Sequence, residues 1–481
     1  MKIKFDFKKE ENKRALVYAA AVFAILLWIP LSITKSVAYD QSYTVAMVRH
    51  SFSEIITLCS YDVHSPLYYF IAKVFYDVLF KQIFALKICS LCFMAFYMWI
   101  LAFPFRKEFG NRMAFCMIVL STFLPTFQTH NTEPRMYSMA IASYTAVAFL
   151  SYKIFKEFKI KYAVLFFIAS VFSTYIHTYT MLATVFLYFV MAVAVIVKKD
   201  DRKKRIIWFL INAALVSVSY LPWLFSLFSQ FGAKGEFVSD EFNTVFYIKD
   251  LLYENFSNIM IPKNREVIAW LVILLFTIAV LIVKKTPYIG YILTGLGIYV
   301  ATAAIGIYLS VNKVPCFMGR YVSCIMPLIL FAIAAALDRI KIKYIVAGVL
   351  AFAVLAGALI YRDRIRYEFD DGINKYIAFV EENFTPDDAV MYGDIHNDCL
   401  SIFAPDTYTF IYGYKDEFNP FSNDETFIDL SQFDKVTGDI WLVIYDYKNP
   451  GWFLDCDYDK VYGFHYLYYD VSIYKIYNFR E

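Results

Sequence analysis

The chain has 481 residues, of which 60% are hydrophobic and 20% aromatic, and its mean hydropathy is +0.50. Its net charge of +3 conceals an asymmetry, since residues 362–481 hold 10 Lys/Arg and 24 Asp/Glu, a net charge of −14, while residues 1–361 carry +17. These values exclude a wholly soluble protein and predict a polytopic α-helical membrane part, residues 1–361, followed by an acidic soluble domain, residues 362–481.

Apolar stretches predict eleven transmembrane helices. They lie near residues 15–33, 86–104, 113–128, 136–152, 162–177, 180–197, 206–226, 266–283, 288–310, 320–337 and 344–361. The lysine-rich amino terminus is expected to stay in the cytoplasm, and the first stretch is expected to remain as a span, not to be cleaved as a signal peptide. The basic loops then all fall on the amino-terminal side, which places the carboxy-terminal domain outside the cytoplasm.

The first large outer loop in this topology is residues 34–85. Its apolar stretch Leu67–Phe80 contains Lys73 and Asp77, and it is too short for a span of about 20 residues. We therefore expect an amphipathic helix on the outer surface of the membrane. A second large outer loop is predicted over residues 227–265.

The acidic tail has the pattern of a compact α/β domain. A helix is predicted over Asp370–Asn383, strands over Ala389–Tyr392 and Trp441–Tyr445, and a hairpin over Val461–Tyr477. The same pattern shows no repeat. The tail is thus predicted to form its own core.

The eight cysteines include one Cys-x-x-Cys pair, Cys89 and Cys92, and no second such pair that would complete a four-ligand metal site. Those in apolar stretches are expected to be inert packing residues: Cys89, Cys92, Cys116 and Cys324. Cys399 and Cys456 of the tail could pair in an oxidising compartment or remain free.

Unusual polar residues gather on the predicted outer face. They are Asp40, Asp62 and His64 in the first loop, Glu133, Arg135 and Tyr137 near the fourth span, His177 at the end of the fifth, and Arg320 and Tyr321 at the tenth. Carboxylates beside a bilayer are costly unless they are solvated, paired or used. Arginines at the outer ends of helices run against the positive-inside tendency, so they indicate anionic partners.

Each candidate also has a structural interpretation. Asp40 is the stronger candidate for catalysis, although it could be a helix cap or an interfacial charge, and Asp62 could cap the helix that starts at Pro66. The histidines could be structural hydrogen-bonding groups, and the arginines could reach lipid headgroups. Glu133 could simply pair with Arg135.

Several functional classes lack their signatures. The chain contains no G-x-x-x-x-G-K-[ST] and no G-x-G-x-x-G after a strand, so an ATP-driven pump is not indicated. Charge at the helix centres is sparse, which argues against an ion pathway. Function is therefore predicted on the outer surface of the membrane.

The motifs resemble those of the protein-mannosyltransferase-like membrane glycosyltransferases, which have the glycosyltransferase C fold and are related to the lipid A aminoarabinose transferases. The resemblance rests on Asp40, Asp62-Val63-His64-Ser65-Pro66-Leu67-Tyr68-Tyr69, Glu133-Pro134-Arg135-Met136-Tyr137, and Arg320-Tyr321 before a span containing Pro327. The family has His-Pro-Pro-Leu where this chain has a serine at the second position. The usual acidic pair after the first span is Asp40-Gln41 here, which leaves Asp40 alone.

The resemblance implies transfer of one sugar from a polyprenyl-phosphate donor to an acceptor at the outer face of the plasma membrane. The acceptor could be a lipid, a protein or a cell-wall polymer. Asp40 would be the base of an inverting reaction, Asp62 would orient the acceptor or bind a cation, and the two arginines would hold the phosphate. The remaining candidates would contact substrate: His64, Glu133, Tyr137, His177 and Tyr321.

The sequence leaves a cation site and three rival functions open. Asp40, Asp62 and His64 could hold a divalent cation or none, no other cofactor is indicated, and no nucleic-acid partner is expected. A flippase or transporter of lipid-linked saccharides would need charged or broken helices at the membrane centre. An oligosaccharide ligase or polymerase would use a similar lipid carrier, and a surface protein would use the membrane part only as an anchor.

Overall fold

The structure is a computed structural model that describes residues 9–62, 64–232, 242–258, 263–393, 398–404, 406–411, 420–421, 428, 436–446, 456–466 and 469–477. The chain forms two compact units. The membrane unit comprises Met1–Ser32, Asp62–Tyr68 and Lys87–Arg362. The loop–tail unit comprises Ile33–Tyr61, Tyr69–Leu86 and Asp363–Glu481.

Helices dominate both units. The α-helices are α1 (Glu10–Ser32), α2 (Tyr39–Arg49), α3 (Phe52–Tyr61), α4 (Leu67–Val78), α5 (Ile83–Ile100), α6 (Arg106–Phe109), α7 (Asn111–Phe123), α8 (Pro125–His130), α9 (Tyr137–Lys156), α10 (Ile160–Thr174), α11 (Thr178–Val197), α12 (Arg202–Gly232), α13 (Thr244–Phe256), α14 (Asn264–Val283), α15 (Ile289–Asn312), α16 (Met326–Arg339), α17 (Lys343–Glu368) and α18 (Gly372–Asn383). A π-helical turn, Leu101–Phe105, joins α5 to α6, and 3-10 helices occupy Gly319–Ile325 and Asp398–Phe403.

The predicted membrane spans all coincide with helices. In the described part of the chain, eight helices are long and apolar enough to cross a membrane, and a bent pair raises that number to nine. Two shorter apolar helices, α7 and α10, fall on the remaining predicted spans. The chain is a multi-pass membrane protein, and eleven crossings remain a prediction.

Two predicted spans are not continuous helices. The span expected over 320–337 consists of the 3-10 helix Gly319–Ile325 and α16, with a bend of 57° between them. The span expected over 113–128 ends at Phe123, and α8 begins at Pro125. Pro125 explains the second break, since it holds Leu124, the residue before it, in extended backbone. Pro327 lies in the first turn of α16, where its missing N–H costs no helical hydrogen bond.

Helix ends in the membrane unit are fixed by close packing and by basic side chains. The Cβ of a larger residue at Gly357 in α17 would lie 2.4 Å from the carbonyl oxygen of Phe123, the last residue of α7. The backbones of α17 and α7 are therefore in close contact at this point. Two arginines of the basic loops contact helix ends. Arg205 Nη1 donates to the Ile154 carbonyl (2.9 Å), and Arg112 Nη2 donates to the Ile340 carbonyl (2.6 Å). These arginines satisfy carbonyls that helix ends leave without partners.

The tail has the predicted α/β structure. Its strands are β1 (Ala389–Tyr392), β2 (Tyr408–Ile411), β3 (Ile440–Tyr445), β4 (Asp457–Tyr466) and β5 (Tyr469–Tyr477), in the order β2-β1-β3-β5-β4. β1 is parallel to β2 and β3, and β5 is antiparallel to β3 and β4. The predicted helix, both predicted strands and the terminal hairpin are confirmed.

The tail sheet has a buried core on each face. One face packs Tyr376 and Phe379 of α18 against Trp441 and Val443. The opposite face buries smaller aliphatic residues around Leu442. Cys399 lies in the first core and Cys456 packs against the second, and both are free thiols, so the predicted option of a disulfide between them is not realised.

Candidate active site

A hydrogen-bonded chain links the first predicted loop to the turn before α9. His64 Nδ1 donates to Asp62 Oδ2 (2.6 Å), and Arg135 Nη2 donates to His64 Nε2 (3.1 Å). Because a guanidinium can only donate, His64 Nε2 must be the acceptor, and the ring proton then lies on Nδ1. Asp62 therefore orients His64.

Glu133 and His130 form a buried pair in the same turn. His130 Nδ1 donates to Glu133 Oε2 at 2.5 Å, with 1% and 9% of the two side chains exposed. Burial tends to raise the pKa of Glu133, but the charge and hydrogen bond of His130 and the charges of Arg320 and Arg135 together lower it below its usual value. The predicted simple Glu133–Arg135 pair is thus a larger network in which His130 is the hydrogen-bonded partner.

His177 begins α11 as a helix cap. Its Nδ1 accepts a hydrogen bond from the Tyr179 backbone N–H (3.1 Å). Burial lowers the pKa of His177 well below its usual value, and the charges of Arg135 and Arg320 lower it further. The ring is therefore neutral, with its proton on Nε2.

Aromatic rings join these polar groups. The Tyr137 ring lies 4.3 Å from that of His130 and 5.8 Å from that of His177, between centroids. The His177 ring lies 5.2 Å from that of Tyr321. Arg320 belongs with them, because its charge lowers the pKa of Glu133. The predicted site residues of the membrane unit thus form one cluster.

Helix α13, in the second predicted outer loop, fixes the segment that carries Arg320. The Gly319 N–H donates to Asp250 Oδ2 (2.6 Å), and Asn255 Nδ2 donates to the Gly319 carbonyl (2.8 Å). Burial raises the pKa of Asp250, whereas the Gly319 hydrogen bond and the charge of Arg320 act in the opposite direction. Sequence reasoning missed these contacts, because the loop showed only polar composition.

Lys87 is a second functional candidate that sequence reasoning missed. It is fully buried near the start of α5, one turn before Ser90, whose Oγ donates to the Glu133 carbonyl (2.5 Å). Residues three apart share a helix face, so Lys87 faces the turn that contains Glu133. A lysine inside an apolar run was the signal available in the sequence.

Asp40 belongs to the loop–tail unit. It lies in the first turn of α2, where the helix dipole favours an acidic residue. Gln41 Oε1 accepts a hydrogen bond from the Ala38 N–H (3.3 Å), so the residue that replaces the second acid of the family pattern has a capping role. Asp40 is half-buried.

A metal site receives no support from the geometry. Among the residues that the structure describes, no three His, Cys, Asp or Glu side chains are placed to share a metal ion. The membrane-unit cluster instead combines buried cations with tyrosines and with the neutral imidazoles of His64 and His177. Such a set suits an anion flanked by hydroxyl groups, since guanidinium and ammonium groups bind phosphate and rings pack on sugars or lipid.

Comparisons with known proteins identify the fold. No protein-family model matches the chain, and no curated protein matches it by sequence. Two crystal structures of ArnT from Cupriavidus metallidurans match it over 95% of this chain and 97% of theirs, each with a TM-score of 0.65. The apo form is 10% identical in sequence, and the form bound to undecaprenyl phosphate is 11% identical.

ArnT is an aminoarabinose transferase with the glycosyltransferase C fold, so the predicted likeness to that fold is confirmed. At these identities the comparison establishes the fold alone. The likeness extends across nearly the whole of both chains, the tail domain included.

Proposed function

We propose that the protein is a membrane glycosyltransferase that moves one sugar from a polyprenyl-phosphate donor to an acceptor at the outer face of the membrane. The buried cationic cluster around Arg135, within a fold shared with a structure that binds undecaprenyl phosphate, carries this proposal. Nucleotide sugars are cytoplasmic, so an outward-facing enzyme needs a donor that arrives through the membrane. A lipid-linked sugar phosphate meets that need.

The reaction needs a base and a binding site for a developing anion. Asp40 takes the proton of the acceptor hydroxyl, and the acceptor oxygen bonds to the anomeric carbon with inversion. The bond from that carbon to the phosphate oxygen breaks, and its electron pair stays on the phosphate. Because the phosphodiester becomes a phosphomonoester, the leaving group gains negative charge, which Arg135, Arg320 and Lys87 stabilise.

The remaining groups position those that touch the substrate. Asp62 acts through His64: it accepts the Nδ1 proton of the ring, and His64 Nε2 then accepts a hydrogen bond from the Arg135 guanidinium and positions it. The Glu133 carboxylate, to which His130 donates, offsets part of the positive charge of Arg135 and Arg320. An anion-binding site that is partly neutralised at rest releases its product more readily than a bare cluster of cations.

The decisive experiment is transfer from a purified polyprenyl-phosphate sugar by the full chain in lipid nanodiscs. We expect Asp40→Asn to lower the turnover number by about 100-fold or more, the usual contribution of a general base. Asp470→Asn is the matched control, because Asp470 is an exposed aspartate of the same unit, 72% exposed. Near-full activity of a folded Asp40→Asn protein would remove the base assignment.

Mass analysis of the product separates this function from its rivals. A glycosyltransferase adds one sugar to the acceptor and releases polyprenyl phosphate. A flippase leaves the donor chemically unchanged, and a ligase or polymerase transfers a block of several sugars. The orientation of the reaction follows from the predicted topology, in which the amino terminus is cytoplasmic and the tail extracytoplasmic.

A further inference from the structure

Helix α2, which carries Asp40, is attached to the tail domain at both ends. All of these contacts lie inside the loop–tail unit. The helix has 11 residues, and the side chain of its N-cap residue, Ala38, makes no capping hydrogen bond. A helix of this length is marginal in isolation, so its geometry depends on what it is packed against.

The first attachment lies just before α2. The Tyr466 hydroxyl of β4 donates to the Val37 carbonyl, and it also accepts the Val37 N–H (3.4 Å). Val37 is fully buried and Tyr466 is 3% exposed. Burial raises the pKa of Tyr466 well above its usual range, so the hydroxyl keeps its proton. A second contact, from Thr34 Oγ1 to Glu368 Oε2 (2.7 Å), lies three residues earlier.

The second attachment lies at the end of α2. Arg49 Nη2 donates to the Ile402 carbonyl (2.7 Å), in the 3-10 helix that follows β1. The next residue, His50, donates from Nε2 to the Pro420 carbonyl (2.8 Å). The ring of Tyr43, between the two attachments, meets the edge of Phe421, with centroids 6.3 Å apart.

We infer that the tail domain is the platform that fixes the rotation and position of α2, and with it the Asp40 carboxylate. Tyr466 and Arg49 are then positioning residues, which act on the reaction through Asp40 and touch no substrate. Backbone acceptors and donors suit this role, because they hold a helix in place without constraining the side chains that face other directions. This inference rests on the proposed function only for the role of Asp40.

Hydrogen exchange tests the attachment without reference to catalysis. In full-length protein in nanodiscs, Tyr466→Phe should increase amide exchange across residues 37–49 at least severalfold, since it opens the first attachment. Exchange in β3 and β5 should stay unchanged. Tyr477→Phe is the matched control, because Tyr477 is an exposed tyrosine of the same sheet. Unchanged exchange in residues 37–49 would overturn the inference.

Kinetics test whether the attachment acts through Asp40. Tyr466→Phe and Arg49→Gln should each lower the turnover number about tenfold, as small misplacements of a reacting group do, while KM for the donor stays unchanged. Arg49→Lys should restore most of the loss, because an ammonium can still donate to the Ile402 carbonyl. In an Asp40→Asn background, neither Tyr466→Phe nor Arg49→Gln should lower the turnover number further.

The outcomes distinguish a platform from a binding surface. If KM for the acceptor rises while the turnover number holds, the tail binds acceptor and the platform role is wrong. If wild-type protein transfers no sugar but Tyr466→Phe still increases exchange, the platform holds and the proposed function fails. If Tyr466→Phe does not fold, the pair of Arg49 substitutions decides the question by the same two measurements.

Discussion

At the scale of single residues, the cluster assigns different states to its three histidines. His64 is a neutral acceptor for Arg135 with Asp62 behind it. His130 donates to a buried carboxylate. His177 uses its ring lone pair to cap α11. Each state follows from the partner on one ring nitrogen, because that partner determines where the proton lies.

The acid stability of the protein should depend on His177. Its pKa is lowered by burial and by nearby cations. Below about pH 6.5 the unfolded chain therefore binds a proton that the native state refuses, and the free energy of unfolding falls by up to about 1.4 kcal/mol per pH unit. His177→Asn keeps a favourable cap without a titrating group. We expect its unfolding temperature in detergent to fall less than that of wild type on acidification.

The pH window and the control make that test specific. Glu133 has a pKa below its usual value, so it stays ionised between about pH 5.5 and 7.5, where the test is made. His465→Asn is the control, because His465 is 53% exposed in the tail. Equal acid losses in His177→Asn and wild type would contradict the assigned state of His177.

Residue types in the site could be predicted from the sequence, but their partners could not. Costly carboxylates and outer arginines pointed to Asp40, Asp62 and Arg135 because charge near a bilayer needs a reason. Which group Asp62 would meet depended on two backbone turns that no local pattern encodes. Lys87 was not among the predicted site residues, because it lies in a stretch whose hydropathy predicts a membrane span.

At the scale of elements, α13 and the 3-10 helix Gly319–Ile325 form one support for Arg320. Gly319 is required there by close approach, since an added Cβ would lie 2.4 Å from the Asp250 carbonyl oxygen. The membrane helices were predictable because their apolar runs are long. The attachment of α13 was not, because it depends on a glycine and an asparagine 64 residues apart.

Gly319→Ala should therefore separate the two elements. We expect a destabilisation of about 1–3 kcal/mol, the usual cost of overpacking, because the atoms it meets are backbone. KM for the donor should rise as Arg320 moves. Gly297→Ala in α15 is the matched control, since nothing lies within 4 Å of its added Cβ and alanine favours a helix. Unchanged stability and KM in Gly319→Ala would show that α13 does not support the site.

At the scale of the whole molecule, the charge asymmetry divides the chain according to structure. The basic part coincides with the apolar helices and the acidic part with the tail sheet. The structure adds a local reason for the basic loops, because Arg112 and Arg205 satisfy the carbonyl ends of helices. Hydropathy and charge thus predicted the division, whereas the grouping of the first loop with the tail needed the fold.

Orientation in the membrane is tested by thiol labelling in intact cells. The native thiols of the tail are poor reporters, because Cys399 is buried and Cys456 is half-buried. Asp470→Cys places a thiol on an exposed strand of the tail, and Lys284→Cys places one in an exposed basic loop. Eleven crossings from a cytoplasmic amino terminus predict that an impermeant maleimide labels position 470 in intact cells and position 284 only after lysis.

The opposite pattern would place the tail in the cytoplasm and remove the need for a donor carried through the membrane. Three predicted spans lie between the two positions: α15, the bent pair that contains α16, and α17. Labelling of both positions in intact cells would mean that an odd number of these three does not cross the membrane. Wild type measures the background from native thiols, and Asp470→Ser separates the loss of the carboxylate from the gain of the thiol. Only a pattern in which position 470 is labelled in intact cells is compatible with an acceptor that meets Asp40 outside the cell, because Asp40 and position 470 belong to the same unit.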